Sequence, residues 1–417
     1  MIRLQGKWGI SGSLYPKSMG PEFSVAYTSG PILSSDSASK LGRSLAGYGT
    51  QLVVGTEQLN SSQGGAYIYQ LVGNVWTQKL AIYGAPTNST AAQLGRGVAT
   101  YGDWVAVGVP KLDKSGLNAA GGVQLYKNTN GTWELAQTIN YPQNDSNADF
   151  GYTVDLSGDT LVVGSPFSDF SGNVDRGQVF VYRYNGSTWL LEATLNAGAN
   201  AVLNSQFGRA LSLDGDKLVV GAPVDGNGAA YAFTRTGTTW SSGTKIIPSL
   251  STTSMAYGFS MKVRGNRLVV GSPGGTVETN TTARVEGGRV YYYTWDGSAW
   301  QESTILRVAT TATYNLTDTQ YNNAARLGWS VDLHPTKNVI ISGAIKAGGT
   351  TLTTSIGRVY VFELNAGNWG VSAMSPSRLS ATSPATSDYY GFGVSFLDSS
   401  NGIITSAPGK NGFYYYK

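Results

Sequence analysis

The sequence predicts an all-β fold, a seven-bladed β-propeller of four-stranded antiparallel blades whose ring is closed by an N-terminal strand. Three observations lead to this prediction. A similar stretch recurs seven times, at spacings of about 50 to 70 residues. Each full copy contains four segments that are typical of strands. The last copy stops one strand short of a complete blade.

The first half of each copy predicts a hairpin. In the third copy, "YTVDLSGDTLVVGSP" gives an alternating strand, a tight Ser-Gly-Asp turn and an apolar run that ends in Gly164. Such an apolar run predicts a strand buried on both faces. Every copy begins with an aromatic residue or Leu followed by Gly: Leu41-Gly42, Leu94-Gly95, Phe150-Gly151, Phe207-Gly208, Tyr257-Gly258, Leu327-Gly328 and Tyr390-Gly391.

The second half of each copy predicts two more strands. In the third copy these are "GQVFVYRY" and "WLLEATL", joined by the turn "NGST". Sheets with two apolar faces can cover both of them by stacking face to face around an axis, as the blades of a propeller do. The glycines permit close backbone approach at the narrow centre. A Trp repeated near the start of the fourth strand is interpreted as core packing: Trp76, Trp133, Trp189, Trp240, Trp300 and Trp369.

The ends of the chain predict the domain boundaries. The seventh copy ends at "NGFYYYK", its third strand, and residues 22–34 are predicted to supply the fourth. We therefore divide the chain into an N-terminal arm, residues 1–21, and a propeller, residues 22–417. The arm is predicted to be extended with one apolar face, which binds a neighbouring subunit or folds back over the disc. Its apolar residues are Leu4, Trp8, Ile10, Leu14 and Tyr15.

Composition narrows the function classes. Charged residues are 13% of the 417, against about 25% in an ordinary soluble domain, which favours an extracellular or particle-borne protein. The net charge is +4, and the sequence contains no run of lysines or arginines, so we expect no nucleic-acid partner. There is no cysteine, which excludes disulfides and thiolate metal sites. No apolar stretch is long enough for membrane insertion, and the N-terminus lacks the apolar core of a secretory signal, so export by the usual route is not expected.

The repeat resembles a known family. An aromatic-Gly pair followed by Gly-Ala-Pro, as at Phe207-Gly208 and Gly221-Ala222-Pro223, is similar to the FG-GAP repeat of the integrin α-subunit propeller and of bacterial cell-surface proteins. The resemblance covers roughly residues 22–417. It implies the propeller fold strongly and function much less, because one fold hosts many functions.

Integrin-like blades often hold calcium in the turn between their first two strands, which the resemblance would imply here. Calcium needs six to eight oxygen ligands, whereas these turns have shrunk to forms such as "SGDT" and "DGDK". We therefore expect no metal and no cofactor. Two later stretches offer weak candidate ligands, for which the favoured interpretation is ordinary loop chemistry: Asp169, Asn173 and Asp175, and Asp225 and Asn227.

No stretch of the sequence marks an active site. The single histidine, His334, lies beside Pro335 and is interpreted as a solvated turn residue. The glycine-rich stretches lack the Lys-Ser/Thr of a phosphate-binding loop. The carboxylates are scattered through turns, so the sequence predicts a protein that is not an enzyme.

A ligand is expected on one face of the disc. Connections between strands two and three, and between one blade and the next, share that face and are long and irregular. The fifth and sixth copies carry the largest insertions there, which are either binding loops or plain solvated loops. Their candidate contact residues are Glu278, Arg284, Glu286, Tyr314 and Tyr321.

The sequence thus favours a structural or binding protein. The first hypothesis is a virion or phage structural protein, as a decoration, fibre or receptor-binding component displayed at the virion surface. Its partners would be other subunits of the particle and a host receptor or glycan. The alternative is an extracellular adhesion or glycan-binding protein of a cell surface.

Overall fold

The structure is a computed structural model of the chain. It describes residues 32–33, 40–84, 91–114, 116–169, 174–200, 202–250, 255–274, 277–278, 283–284, 287–309, 316–317, 325–347, 355–363, 377–379, 385, 387–397 and 402–416.

Seven antiparallel sheets form the blades of the predicted propeller. The innermost strands are Ser44–Tyr48, Val98–Tyr101, Thr153–Ser157, Ala210–Asp214, Ser260–Arg264, Leu327–Leu333 and Val394–Phe396. The second strands are Gln51–Thr56, Trp104–Val109, Thr160–Ser165, Lys217–Ala222, Arg267–Ser272, Val339–Ala344 and Ile403–Ala407.

The outer half of each blade follows the same order. The third strands are Gly65–Val72, Gly122–Thr129, Gln178–Tyr184, Ala229–Thr236, Arg289–Trp295, Arg358–Glu363 and Gly412–Tyr416. The outermost strands of blades 1 to 6 are Val75–Tyr83, Thr132–Asn140, Trp189–Leu195, the broken pair Thr239–Trp240 and Thr244–Ile246, Trp300–Leu306, and Ser377–Leu379.

The ring closes as the sequence predicts. The outermost strand of blade 7 is Ile32–Leu33, which lies antiparallel to Gly412–Tyr416 with Ile32 opposite Phe413 and Leu33 opposite Gly412. Each innermost strand contacts its neighbour, and that of blade 1 contacts that of blade 7. The predicted arm, residues 1–21, lies outside the described residues.

The core lies between neighbouring blades. The second strands of blades 1, 3 and 6 are buried along their whole length. The hydrophobic clusters span blade boundaries, as where Ile68 of blade 1 packs with Val107 and Trp133 of blade 2. Among the repeated tryptophans, the role in core packing is confirmed for four buried residues: Trp76, Trp133, Trp189 and Trp240. Trp300 is partly buried against the same kind of cluster, and Trp369 lies outside the described residues.

Glycine pairs allow the blades to approach each other at the centre. A Cβ placed on Gly164 would lie 2.1 Å from the carbonyl oxygen of Gly208 in the next blade. Similar contacts join the successive blades from 1 to 7, as between Gly343 and the Gly391 carbonyl. At the last boundary Ser406 stands in place of the first glycine, and its side chain faces Gly42. Backbone-to-backbone contact therefore sets the radius of the ring.

The disc has two unlike faces. Innermost strands begin, and second strands end, at what we call the upper face, as the pairing of Ser44 with Gly55 shows. The opposite, lower face carries tight turns such as Gly158–Asp159. Short extra elements occur between the blade strands: the α-helix Leu59–Ser62, the 3-10 helices Gly198–Asn200 and Pro408–Lys410, the antiparallel pair Val277–Glu278 and Ala283–Arg284, and the parallel pair Val308–Ala309 and Leu316–Thr317.

The interpretation of His334 as a solvated turn residue is wrong. His334 is buried, with 2% of its surface exposed to solvent, and the centroids of its ring and the Phe396 ring are 5.1 Å apart. Its Nδ1 accepts hydrogen bonds from the backbone N–H groups of Thr336 and Lys337, at 3.2 and 2.9 Å. His334 therefore holds the turn between two strands of blade 6 and packs it against blade 7.

Candidate functional site: the upper mouth of the central channel

A ring of large side chains surrounds the central channel at the upper face. Each blade supplies the residue that directly follows the glycine of its opening pair. These residues line a depression of about 420 Å³, which we call the upper mouth. In blade order they are Arg43, Arg96, Tyr152, Arg209, Phe259, Trp329 and Phe392.

The preceding glycine places each of these side chains at the channel. Gly208, before Arg209, has φ +92°, a conformation that residues with a Cβ rarely adopt. Its N–H donates to the carbonyl of Gly221 at 3.1 Å, which ties the bend to the second strand. The chain then enters the innermost strand, so the next residue stands at the rim of the channel. The same bend recurs in all seven blades.

Three aromatic residues form one arc of the mouth. Phe259 and Trp329 have ring centroids 4.6 Å apart, and Trp329 and Phe392 have centroids 5.4 Å apart. All three side chains are half-buried, so each keeps some surface open to solvent. This aromatic arc offers flat apolar surface at the centre of the upper face.

Cationic residues form the facing arc. Arg43 and Arg96 both pair with Glu57, at 2.6 and 3.1 Å, and Glu57 is buried. Glu57 occupies the position that proline holds in the Gly-Ala-Pro of blade 4. The Arg43 guanidinium also lies 4.6 Å from the ring centroid of Phe392, and that of Arg96 lies 4.2 Å from the ring centroid of Tyr152. The Glu57 carboxylate thus orients two arginines that belong to neighbouring blades and lie side by side at the upper mouth.

Arg209 completes the cationic arc without a carboxylate partner among the described residues. Its side chain donates to the amide oxygen of Gln206, which is neutral. Its guanidinium lies near two rings, 5.5 Å from Tyr152 and 6.0 Å from Phe259. Three arginines and one glutamate give this arc a formal charge of +2. The mouth therefore places a positive arc opposite an apolar one.

An apolar ring lines the channel below the mouth. The next channel-facing position of every blade is apolar and borders both the mouth and a lower chamber of about 220 Å³: Leu45, Val98, Val154, Leu211, Met261, Val331 and Val394.

The lower chamber holds two carboxylates with structural partners, the partly buried Asp155 and the buried Asp332. Asp155 accepts the Leu213 N–H of the next blade at 2.8 Å, and Asp332 accepts that of Phe396 at 2.8 Å. Burial raises the pKa of the Asp155 carboxyl, while the charge of Lys262 opposes the rise. Both carboxylates therefore join innermost strands of neighbouring blades.

The contact residues predicted from the insertions are only partly described. Glu278 and Arg284 lie in the short antiparallel pair that leaves the upper face of blade 5. Glu286, Tyr314 and Tyr321 lie outside the described residues. Their role as contacts stays a prediction.

The candidate calcium ligands have protein partners where they are described. The Asp225 carboxylate is buried and accepts from Lys245 Nζ at 2.8 Å and from the Tyr231 hydroxyl at 2.5 Å. Asn227 contributes its backbone oxygen to the N–H of Tyr257. Asp169 accepts from the N–H of Asp175 at 3.1 Å. Asn173 lies outside the described residues, and within them no group of three or more metal-ligating side chains is found.

Sequence reasoning missed the upper mouth, although a signal was present. The mouth takes one residue from each of seven distant copies, so no single stretch of the chain contains it. Comparing the copies at the position after the opening glycine gives Arg, Arg, Tyr, Arg, Phe, Trp and Phe, a run of large side chains at one structural position. The glutamate at a proline position, Glu57, was a second available signal.

Comparison with known families agrees with this architecture. The FG-GAP repeat family matches residues 133–182 and 189–233. The chain is a seven-bladed β-propeller that carries FG-GAP repeats. Each matched segment begins at the outermost strand of one blade and ends in the third strand of the next, so the sequence repeat is shifted by one strand relative to the blade. Because of this shift, the outermost strand of blade 7 comes from the N-terminal side of the propeller. A search of curated protein sequences found no match to the chain.

The described part of the chain contains no helix long and apolar enough to cross a bilayer.

Proposed function

We propose that this propeller is a non-enzymatic binding protein displayed on the surface of a virion, with the upper mouth as its ligand-binding site. The observation that carries the proposal is the mouth itself, in which seven blades converge on one depression with a charged arc and an aromatic arc. Concave sites with exposed aromatic surface and a few directed polar groups are typical of ligand binding. FG-GAP repeats typically occur in extracellular or surface proteins, which supports display.

The absence of catalysis is part of the proposal. These carboxylates near the channel have structural partners: Glu57 holds two arginines, and Asp155 and Asp332 hold backbone N–H groups. An acid–base mechanism needs a group free to exchange protons with a bound substrate. The upper mouth offers arginines and aromatic rings, which bind and orient.

The second candidate function is adhesion from a cell surface, which the same mouth would serve. In the virion hypothesis, residues 1–21 attach the propeller to a neighbouring subunit of the particle and leave the upper mouth facing outward. In the adhesion hypothesis, the propeller is held at a cell surface and the mouth binds a receptor or a glycan.

Immunogold electron microscopy with antibodies against the propeller tests display and separates the two candidates. We expect label on the outside of intact virus particles from the culture that makes the protein. Label on cells alone would favour adhesion. Label that appears only after particles and cells are broken open would contradict surface display. In a matched experiment, a chain that lacks residues 1–20 should fold but no longer join the particle.

A further inference from the structure

We propose that the upper mouth recognises an acidic sugar, with the carboxylate on Arg209 and the apolar face of the sugar ring on Trp329. This inference rests on the proposed binding role of the mouth and names its ligand class. Its basis is the juxtaposition of an arginine without an acidic partner among the described residues and an aromatic arc, across one depression.

Charge sets the first requirement on the ligand. The cationic arc carries a formal +2 after Glu57 is counted, and the nearby Lys111 is already paired with Asp149 at 2.7 Å. Arg43 and Arg96 are oriented by Glu57, so their geometry is fixed before a ligand arrives. Arg209 has a neutral partner and keeps its charge for an anion. A planar guanidinium binds a carboxylate through two parallel hydrogen bonds, so an anionic ligand is favoured.

The aromatic arc sets the second requirement. A small inorganic anion would occupy the arginines and leave the surfaces of Phe259, Trp329 and Phe392 in water. A ligand that also has an apolar face covers them and gains from their burial. The C–H face of a pyranose ring has this character, and the carboxylate of a sugar acid lies at the edge of the same ring.

The volume of the depression and its backbone favour a sugar over a peptide. A volume of about 420 Å³ suits a ligand of small-molecule size. Peptide C-terminal carboxylates are commonly held by free backbone N–H groups. Here the glycine N–H groups beside the rim already have acceptors: six donate to carbonyls, as from Gly95 to Gly108 at 2.9 Å, and that of Gly328 donates to Ser342 Oγ at 3.0 Å. The available donors are guanidinium groups, which do not require a peptide backbone in the ligand.

Calorimetric titration with matched probes tests the assignment. Methyl β-D-glucuronide and methyl β-D-glucoside differ only in the carboxylate, and N-acetylphenylalanine represents a peptide C-terminus. We expect the glucuronide to bind about tenfold more tightly than the glucoside, and its affinity to fall as salt rises. Equal affinity for the two sugars, or binding of neither, would overturn the proposal.

Variants assign the binding to the mouth. Arg209→Gln should remove the preference for the glucuronide, and Trp329→Ala should weaken both sugars. Arg183→Gln is the matched control, because Arg183 lies on the third strand of blade 3 and pairs with Asp159 away from the channel. Arg209→Lys, which keeps the charge but loses the planar fork, should be intermediate. If Arg209→Gln retains the full preference, the carboxylate is bound elsewhere and the proposal fails.

The outcomes separate this inference from the proposed function. Tighter binding of N-acetylphenylalanine than of the glucuronide, lost in Trp329→Ala, would overturn the sugar assignment while supporting a binding role for the mouth. Surface label in electron microscopy with no binding of any probe would likewise overturn the sugar and leave display intact. Circular dichroism melts of each variant show whether a loss of binding reflects a loss of folding.

Discussion

Single glycines at the centre of the disc decide how closely the blades pack. Gly164 in blade 3 faces the Gly208 carbonyl and the Thr153 hydroxyl, and that hydroxyl donates to the same carbonyl at 2.7 Å. None of these atoms belongs to a flexible side-chain end that could move away. An added methyl group at this position therefore has to push one blade from the next.

We expect Gly164→Ala to destabilise the fold by about 3 kcal/mol, because a Cβ would lie 2.1 Å from the Gly208 oxygen and 2.3 Å from Thr153 Oγ1. Chemical denaturation monitored by tryptophan fluorescence measures the change. Gly215→Asn is the control, since nothing lies within 4 Å of its Cβ position and Asn tolerates the φ of +56° found there. Wild-type stability in Gly164→Ala would show that the blades are not in backbone contact.

At the scale of the element, the third strands carry buried tyrosines whose phenols must stay neutral. Tyr69 lies in the third strand of blade 1 and Tyr126 in that of blade 2, where its hydroxyl donates to Gln124 Oε1 at 2.8 Å. Burial raises the pKa of Tyr69, and that of Tyr126, to about 12. The unfolded chain ionises these phenols near pH 10.

Stability is therefore expected to fall between pH 10 and pH 12. In that window the unfolded state has released the phenolic protons and the folded state still holds them, so rising pH favours unfolding. Below pH 10 both states are protonated and these tyrosines contribute no pH dependence. Denaturant titrations at pH 9, 10, 11 and 12 measure the fall. Tyr126→Phe should make it shallower, by at most about 1 kcal/mol per pH unit, and an unchanged slope would contradict the assignment.

The elements were largely predictable from the sequence, while their contacts across blades were not. Repetition fixed the strand order, and the missing strand of the seventh copy predicted the pairing that places Leu33 opposite Gly412. His334 was misjudged because Phe396, the ring that covers it, belongs to the next blade. The upper mouth was not predicted for the same reason, since Arg209 and Trp329 line one depression only when the blades are arranged as a ring.

At the scale of the whole molecule, packing between blades and strand pairing hold the ring together. The hydrophobic clusters link successive blades around the disc, and blade 7 joins blade 1 through Leu41, Leu52, Ile404 and Phe413. The described acidic loop residue Asp225 is neutralised by Lys245 rather than directed outward. Within the described residues, these apolar clusters and strand pairs supply the contacts between blades.

Removal of calcium is accordingly expected to leave the fold unchanged. The melting temperatures in excess EDTA and in millimolar calcium should agree within about 1 °C. A calcium ion bound to the folded state would stabilise it and raise the melting temperature, so a fold without such a site melts alike in both solutions. A rise of several degrees in calcium would show a site, and Asp169→Asn together with Asp175→Asn would then identify whether the blade 3 loop holds it.

The closed ring is the central claim, because the strand Ile32–Leu33 completes blade 7 and joins the two ends of the propeller. The 417 residues contain no cysteine, so one engineered pair reports on this contact without competing thiols. Residues directly opposite in an antiparallel pair have Cα atoms about 4.5 to 5.5 Å apart, a separation that a disulfide spans.

The most direct test is the double variant Leu33→Cys with Gly412→Cys, oxidised under mild conditions and mapped by mass spectrometry. Leu33→Cys with Thr239→Cys, in blade 4, is the control pair. The closed ring predicts an intramolecular peptide linked between positions 33 and 412, loss of both free thiols, and no such link in the control. Two thiols that stay reactive in the folded double variant, or that link only between molecules, would contradict the closure.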